Sequence, residues 1–228
     1  MNRTLNVIRM QFVNRQTFVW VPLIVLGGSL LLSLLIYAMI PGDFPKYGGG
    51  AWAPLWYLLA VGIQSLTMTF PFSQAMSVTR REFYLGTLLT AGIAAAVLAI
   101  VFVVGGLIEQ ATDGWGMNGW FFYLPWIWAA GPLGAAFFYF VTAVLLFIVG
   151  FWAATLYKRF GATVLTSVLV GIGLLFVGLL WLIGRLDAWE QIGVWLATSG
   201  SLGLAAGMAV AAVVLAGIAY LTLRRTVP

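Results

Sequence analysis

The polar residues with the most definite spacing form one short run, Ser77-Val78-Thr79-Arg80-Arg81-Glu82-Phe83, between two long apolar stretches. Thr79 followed three residues later by Glu82 is a capping box. The threonine oxygen takes the Glu82 amide, and the glutamate reaches back to the amide of Thr79. Val78 and Phe83 stand at the N′ and N4 spacing of a hydrophobic staple. The spacing predicts a helix opening at Arg80 after a sharp, rigid turn. Arg80 and Arg81 then fall on its first turn, where the positive end of the macrodipole disfavours a cation by roughly 0.3–1 kcal/mol when exposed. Such a turn suits non-covalent docking against another surface; the plainer reading is two arginines marking a cytoplasmic loop. A second set, Gln64, Thr67, Pro71 and Gln74, recurs at spacings of three and four, with Ser73 nearby. On one helix these form a polar face in an apolar span, which either bonds a neighbouring helix or forms one wall of a substrate path.

Covalent chemistry has little to work with. The chain has no histidine and no cysteine. A serine–histidine dyad, a histidine-bound zinc, a thiolate metal site and a disulfide framework are therefore excluded. Every acidic residue sits near a predicted helix end, so no carboxylate pair and no mid-span ionisable group is at hand for proton or ion coupling. No Walker-type phosphate loop occurs. No catalytic residue and no cofactor or metal site is expected in this chain. Energy for moving anything uphill must come from another polypeptide.

The elements that position these residues are membrane helices. Of 228 residues, 63% are hydrophobic and 7% charged, against about 25% charged in a soluble domain. About 20 apolar residues cross the hydrocarbon. The predicted spans are about 17–40, 54–76, 80–108, 131–157, 162–184 and 202–223, in one transmembrane domain. The first apolar run is too long for a cleavable signal peptide. Residues 1–16 carry Arg3, Arg9 and Arg15, with Leu5, Ile8 and Phe12 on one face; they form either a helix along the inner membrane surface or a basic tail. Three rows of small residues are suited to close packing: Ala91, Ala95 and Ala99; Thr163, Ser167 and Gly171; and Gly203, Gly207 and Ala211. The second of these equally suits a dimer interface. The cluster Trp115, Trp120, Phe121, Phe122, Tyr123, Trp126 and Trp128 belongs at a membrane–water interface. Asp187 with Glu190 reads as a second capping box, opening a short interfacial helix over 187–198 with Trp189, Ile192 and Leu196 on one side.

Six spans place both termini on one side. Arg3, Arg9, Arg15, Arg80, Arg81, Lys158, Arg159, Arg224 and Arg225 share that side, and only Lys46 and Arg185 lie opposite. The asymmetry makes the termini cytoplasmic, in a multi-pass protein of the cell membrane, and the 187–198 helix extracellular.

The run from Phe72 to Gly86, read with this topology, resembles the ABC-2 type permease subunits of ABC transporters. Small members often carry a small-x-small-V-(T/S)-R-R-x-x-(F/Y)-x-x-G run at this point, here Ala75-Met76-Ser77-Val78-Thr79-Arg80-Arg81-Glu82-Phe83-Tyr84, with Gly86 one position earlier than the glycine of that pattern. The resemblance in topology covers nearly the whole chain, and the residue-level match about fifteen positions. It implies an all-α half-transporter of the type V exporter kind, paired with a second copy or a related permease over two ATP-binding subunits. ATP and magnesium would be held by those subunits. Residues 77–83 would be the coupling element, and Gln64, Thr67, Ser73 and Gln74 would line the path. A mostly uncharged interior favours export of a hydrophobic or amphiphilic substrate. The competing expectation is a membrane scaffold or assembly protein without transport; a passive channel is a third. Nothing points to nucleic acid.

Overall fold

The computed structural model describes residues 3–13 and 16–224 and is almost wholly helical. Its helices are α1 (Arg3–Val13), α2 (Val21–Met39), α3 (Trp52–Gln64), α4 (Phe70–Ala75), α5 (Arg80–Ala111), α6 (Pro125–Trp128), α7 (Gly131–Arg185) and α8 (Trp189–Leu223). Five runs, Gln16–Met39, Gly49–Ala75, Arg80–Ala111, Gly131–Arg185 and Trp189–Leu223, are long and apolar enough to cross a membrane. Arg15 and Arg225, part of the basic asymmetry, lie outside the described residues.

The 55 residues of α7 would run about 82 Å if straight, far beyond a hydrocarbon layer of about 30 Å. They are not straight. Gly161 at φ +83° breaks α7, and Gly200 at φ +58° breaks α8, each in a backbone region that glycine enters without strain. Residues 131–160 and 201–223 pack side by side and run parallel. Thr142 meets Met208 at 3.8 Å, and thirteen or so residues further along both segments Thr155 meets Thr222 at 3.1 Å. Ser201 hydroxyl donates to the Ile127 carbonyl at 3.0 Å, pinning the other end. The chain between them must therefore return along the full height of the bundle. Residues 162–185 make that return almost wholly exposed.

The core is built from α3, α5, and the segments 131–160 and 201–223. The row Ala91, Ala95 and Ala99 is buried as its spacing predicts. The backbones of α3 and α7 approach closely. A Cβ on Gly62 would lie 2.2 Å from the Phe147 carbonyl oxygen, and one on Gly150 2.0 Å from that of Leu59, so only glycine lets these backbones touch. In the last segment the buried row is Ser201, Ala205, Ala212 and Ala219, not Gly203, Gly207 and Ala211. The seven-residue repeat of the alanines keeps one seam on α7, while Gly207 has open space around it. Thr163 and Ser167 are exposed, and a Cβ at Gly171 would meet no atom within 4 Å.

The α1 helix packs along α5 rather than forming a tail. Among its described side chains Val7 and Gln11, one turn apart, are buried, with Ile8 and Phe12 half-buried beside them. Before α2 and before α4 the chain makes π-helical turns, Gln16–Trp20 and Ser65–Thr69. Each ends two residues before a proline, Pro22 and Pro71. Proline has no N–H, and its ring crowds the carbonyl four residues back; one extra residue in the turn relieves both. The Thr17 carbonyl of the first turn is taken instead by the Tyr57 hydroxyl at 3.1 Å.

Candidate functional site

The elbow between α4 and α5 joins two caps back to back. Val78 N–H donates to the Ser73 carbonyl at 3.1 Å and Ser77 N–H to that of Gln74 at 3.0 Å, the paired bonds of a Schellman C-cap. Ser77 takes the left-handed position at φ +56°, where glycine is usual. Gln74 Nε2 donates to the Val78 carbonyl at 3.0 Å and stiffens the same turn. The capping box follows at once. Thr79 N–H donates to Glu82 Oε2 at 3.0 Å, and Glu82 N–H donates to Thr79 Oγ1 at 3.3 Å. Phe83 is wholly buried, with its ring 5.1 Å from that of Phe70, and Val78 packs half-buried against the core.

The two arginines part company here. Arg80 Nη1 donates to the Arg224 carbonyl at 2.6 Å, at the C-terminal end of α8. A cation unfavourably placed at one helix N-terminus is thus favourably placed at another's C-terminus. Arg81, Thr79 and Ser77 remain exposed on the elbow's outer side.

The residues expected to share one polar face of the second span do not share one role. Ser73 is fully buried and donates to the Phe70 carbonyl at 2.7 Å; Thr67 donates to that of Ile63 at 3.1 Å; Gln74 braces the elbow. Of the four, only Gln64 borders the cavity on this side of the helix. The π-turn at Ser65–Thr69 is the reason. It inserts a residue into the 3.6-residue repeat, so positions below it are rotated relative to those above. A face that runs through 64, 67, 71 and 74 in an ideal helix becomes split. The cavity face of this helix instead includes Val61, Gln64, Ser65, Met68, Thr69 and Phe72.

At the far end of the bundle the aromatic stretch folds inward. Glu109, wholly buried, accepts four hydrogen bonds. Trp115 Nε1 donates to Oε1 at 2.8 Å and Phe121 N–H at 3.0 Å, while Phe122 and Tyr123 N–H each donate to Oε2 at 2.8 Å. Three successive amides and an indole thus hold the carboxylate. Phe121, Phe122 and Trp128 are buried within the fold, where Gly105 and Gly106 leave room for the Phe122 and Trp128 rings. Two residues of each loop pair as strands, β1 (Lys46–Tyr47) with β2 (Gly119–Trp120). Tyr37 ties the layers: its hydroxyl donates to the Trp120 carbonyl at 3.2 Å and its carbonyl accepts Lys46 Nζ at 3.1 Å. Asn118 Nδ2 donates to Asp43 Oδ1. The donors on Glu109 come from six to fourteen residues away in no periodic order, which is why sequence spacing did not single it out.

The second capping box does not form. Asp187 lies at φ +50° outside α8 and closes α7, with Ala188 N–H donating to the Ile183 carbonyl at 3.1 Å. The N-cap of α8 is Ala188, and its side chain makes no capping bond. A short carboxylate tolerates the left-handed position, and taking it there removes Asp187 from reach of the next helix. The short helix itself is present over 189–199, with Trp189 exposed and Glu190 in its first turn.

No protein-family model, no curated protein and no solved structure matches the chain. The class that fold and composition define is a helical protein with several helices able to cross a membrane.

Proposed function

We propose that this chain is the membrane-spanning subunit of an ATP-driven transporter of the ABC-2 permease kind, exporting a hydrophobic or amphiphilic substrate across the cell membrane. The carrying observation is the elbow. Two caps share residues 73–82 without an intervening loop, so a force on Ser77, Thr79 or Arg81 reaches α4 and α5 with little slack. Arg80 extends that linkage to α8. Six crossings with cytoplasmic termini fit the parallel pairing of 131–160 with 201–223, which requires 162–185 to cross between them. The exposed Thr163–Ser167–Gly171 row fits a second copy or a related permease. ATP and magnesium belong to two separate ATP-binding subunits beneath the elbow.

Affinity purification of the chain tests this reading. A Walker-motif ATPase should accompany it in near-equal amount. Arg81→Glu should release that partner or uncouple its ATP turnover. A chain that purifies alone and an Arg81→Glu variant without effect would leave the scaffold reading in place.

A further inference from the structure

A cavity of about 540 Å³ lies between the two π-turns, toward the elbow end of the bundle. Arg9, Gln11 and Thr17 border it on one side, and Gln64, Ser65 and Thr69 on the other. Among the described residues, Arg9 is its one ionisable lining residue. Gln11 is 1% exposed, and its Nε2 donates to Thr87 Oγ1 at 2.7 Å, while Oε1 has no partner among the described residues. Turning the amide over moves the problem to the nitrogen without solving it. Met68, Phe72 and Met76, which close the lower wall, are 70%, 58% and 57% exposed on the outside of the bundle. The cavity therefore opens sideways, toward acyl chains, rather than only to water.

A second cavity of about 150 Å³ shares the Phe18 wall and lies further from the elbow. Its lining is entirely apolar, including Leu26, Leu58, Ala94 and Leu98. Counted at 1.5 Å per residue from Arg80, Ala94 stands about 21 Å up the helix, close to the midplane of a bilayer about 40–45 Å thick with its headgroups. Polar and cationic at the membrane edge, apolar at depth: this is the polarity profile of one phospholipid.

We propose that these two cavities seat a single anionic glycerophospholipid from the leaflet at the elbow end. Its phosphate pairs with Arg9, its headgroup hydroxyls meet Gln11 and Gln64, and one acyl chain enters the slot beside Ala94. The lipid fills the wedge between α1 and α3 and gives the buried Gln11 amide a partner. The inference stands on the cavities and needs no transporter reading; lipid retention and ATPase association are separate readouts.

The test is native mass spectrometry of the purified full chain, with phosphatidylglycerol or phosphatidylcholine added. One phosphatidylglycerol per chain is expected to remain bound, with phosphatidylcholine retained at least fivefold less. Arg9→Gln with Gln64→Leu should lower retention at least fivefold. Ala94→Phe should do the same by blocking the slot with the headgroup residues intact, and Leu174→Ala, on the exposed return segment, should leave it unchanged. If the double variant does not fold, Arg9→Gln alone, at an exposed position, and Ala94→Phe decide the matter. Equal retention of the two lipids, no retained lipid on the unaltered chain, undiminished retention in the variants, or displacement by millimolar inorganic phosphate would each overturn the proposal.

Discussion

Arg80 at the start of α5 donates to the backbone carbonyl of Arg224 at the end of α8, 144 residues away, at 2.6 Å. One side chain therefore links the elbow to the last helix. The macrodipole penalty at its own helix is offset by the complementary field at the other. Arg80→Ala should lower stability by about 1 kcal/mol, the scale of a partly exposed charge-assisted bond. Arg81→Ala, at an exposed position, should change it by less than about 0.5 kcal/mol. Thermal unfolding of both variants in detergent checks the difference.

Glu109 organises the cap at the opposite end. Glu109→Gln keeps size and shape but turns an NH2 group toward amide donors, so at least one donor loses its acceptor. A loss of about 2–4 kcal/mol is expected, from buried charge-assisted bonds broken together. Trp115 should become more solvent-exposed, and tryptophan emission should shift to the red. An unchanged spectrum and midpoint would mean the carboxylate is not what holds residues 115–123.

Glycine substitutions should separate sharply by place. Gly62→Ala or Gly150→Ala forces a methyl group against a carbonyl oxygen of the facing helix and should cost about 2 kcal/mol or more. Gly207→Ala meets no atom within 4 Å and should be neutral or stabilising by about 0.5–1 kcal/mol, since alanine favours the helix. Chemical denaturation of the three variants side by side settles this.

Ser77 holds a left-handed position that costs a non-glycine residue about 1 kcal/mol. Ser77→Gly should recover most of that, partly offset by a more flexible unfolded chain, and Ser77→Val should destabilise. If the elbow transmits force, Ser77→Gly should leave ATPase association intact, because the Schellman bonds are made by backbone.

What could be read from the sequence is what neighbouring residues decide among themselves. Apolar run lengths gave the helices that can cross a membrane. The Thr79–Glu82 box formed as its three-residue spacing required, and Ala91, Ala95 and Ala99 turned inward together, because both patterns lie within an uninterrupted helix. The expectations failed where distant atoms or a changed register took over. Pro71 imposed a π-turn that split the Gln64–Gln74 face, and Asp187 went to close α7 instead of opening α8. The seam of α8 followed Ala205, Ala212 and Ala219 rather than its glycines, since the surface of α7 chooses which side of α8 is buried. Only tertiary structure could bring Arg80 to Arg224, set three amides around Glu109, or leave Gln11 half-bonded beside a cavity. Those arrangements depend on which groups meet when helices pack, and local spacing carries no record of it.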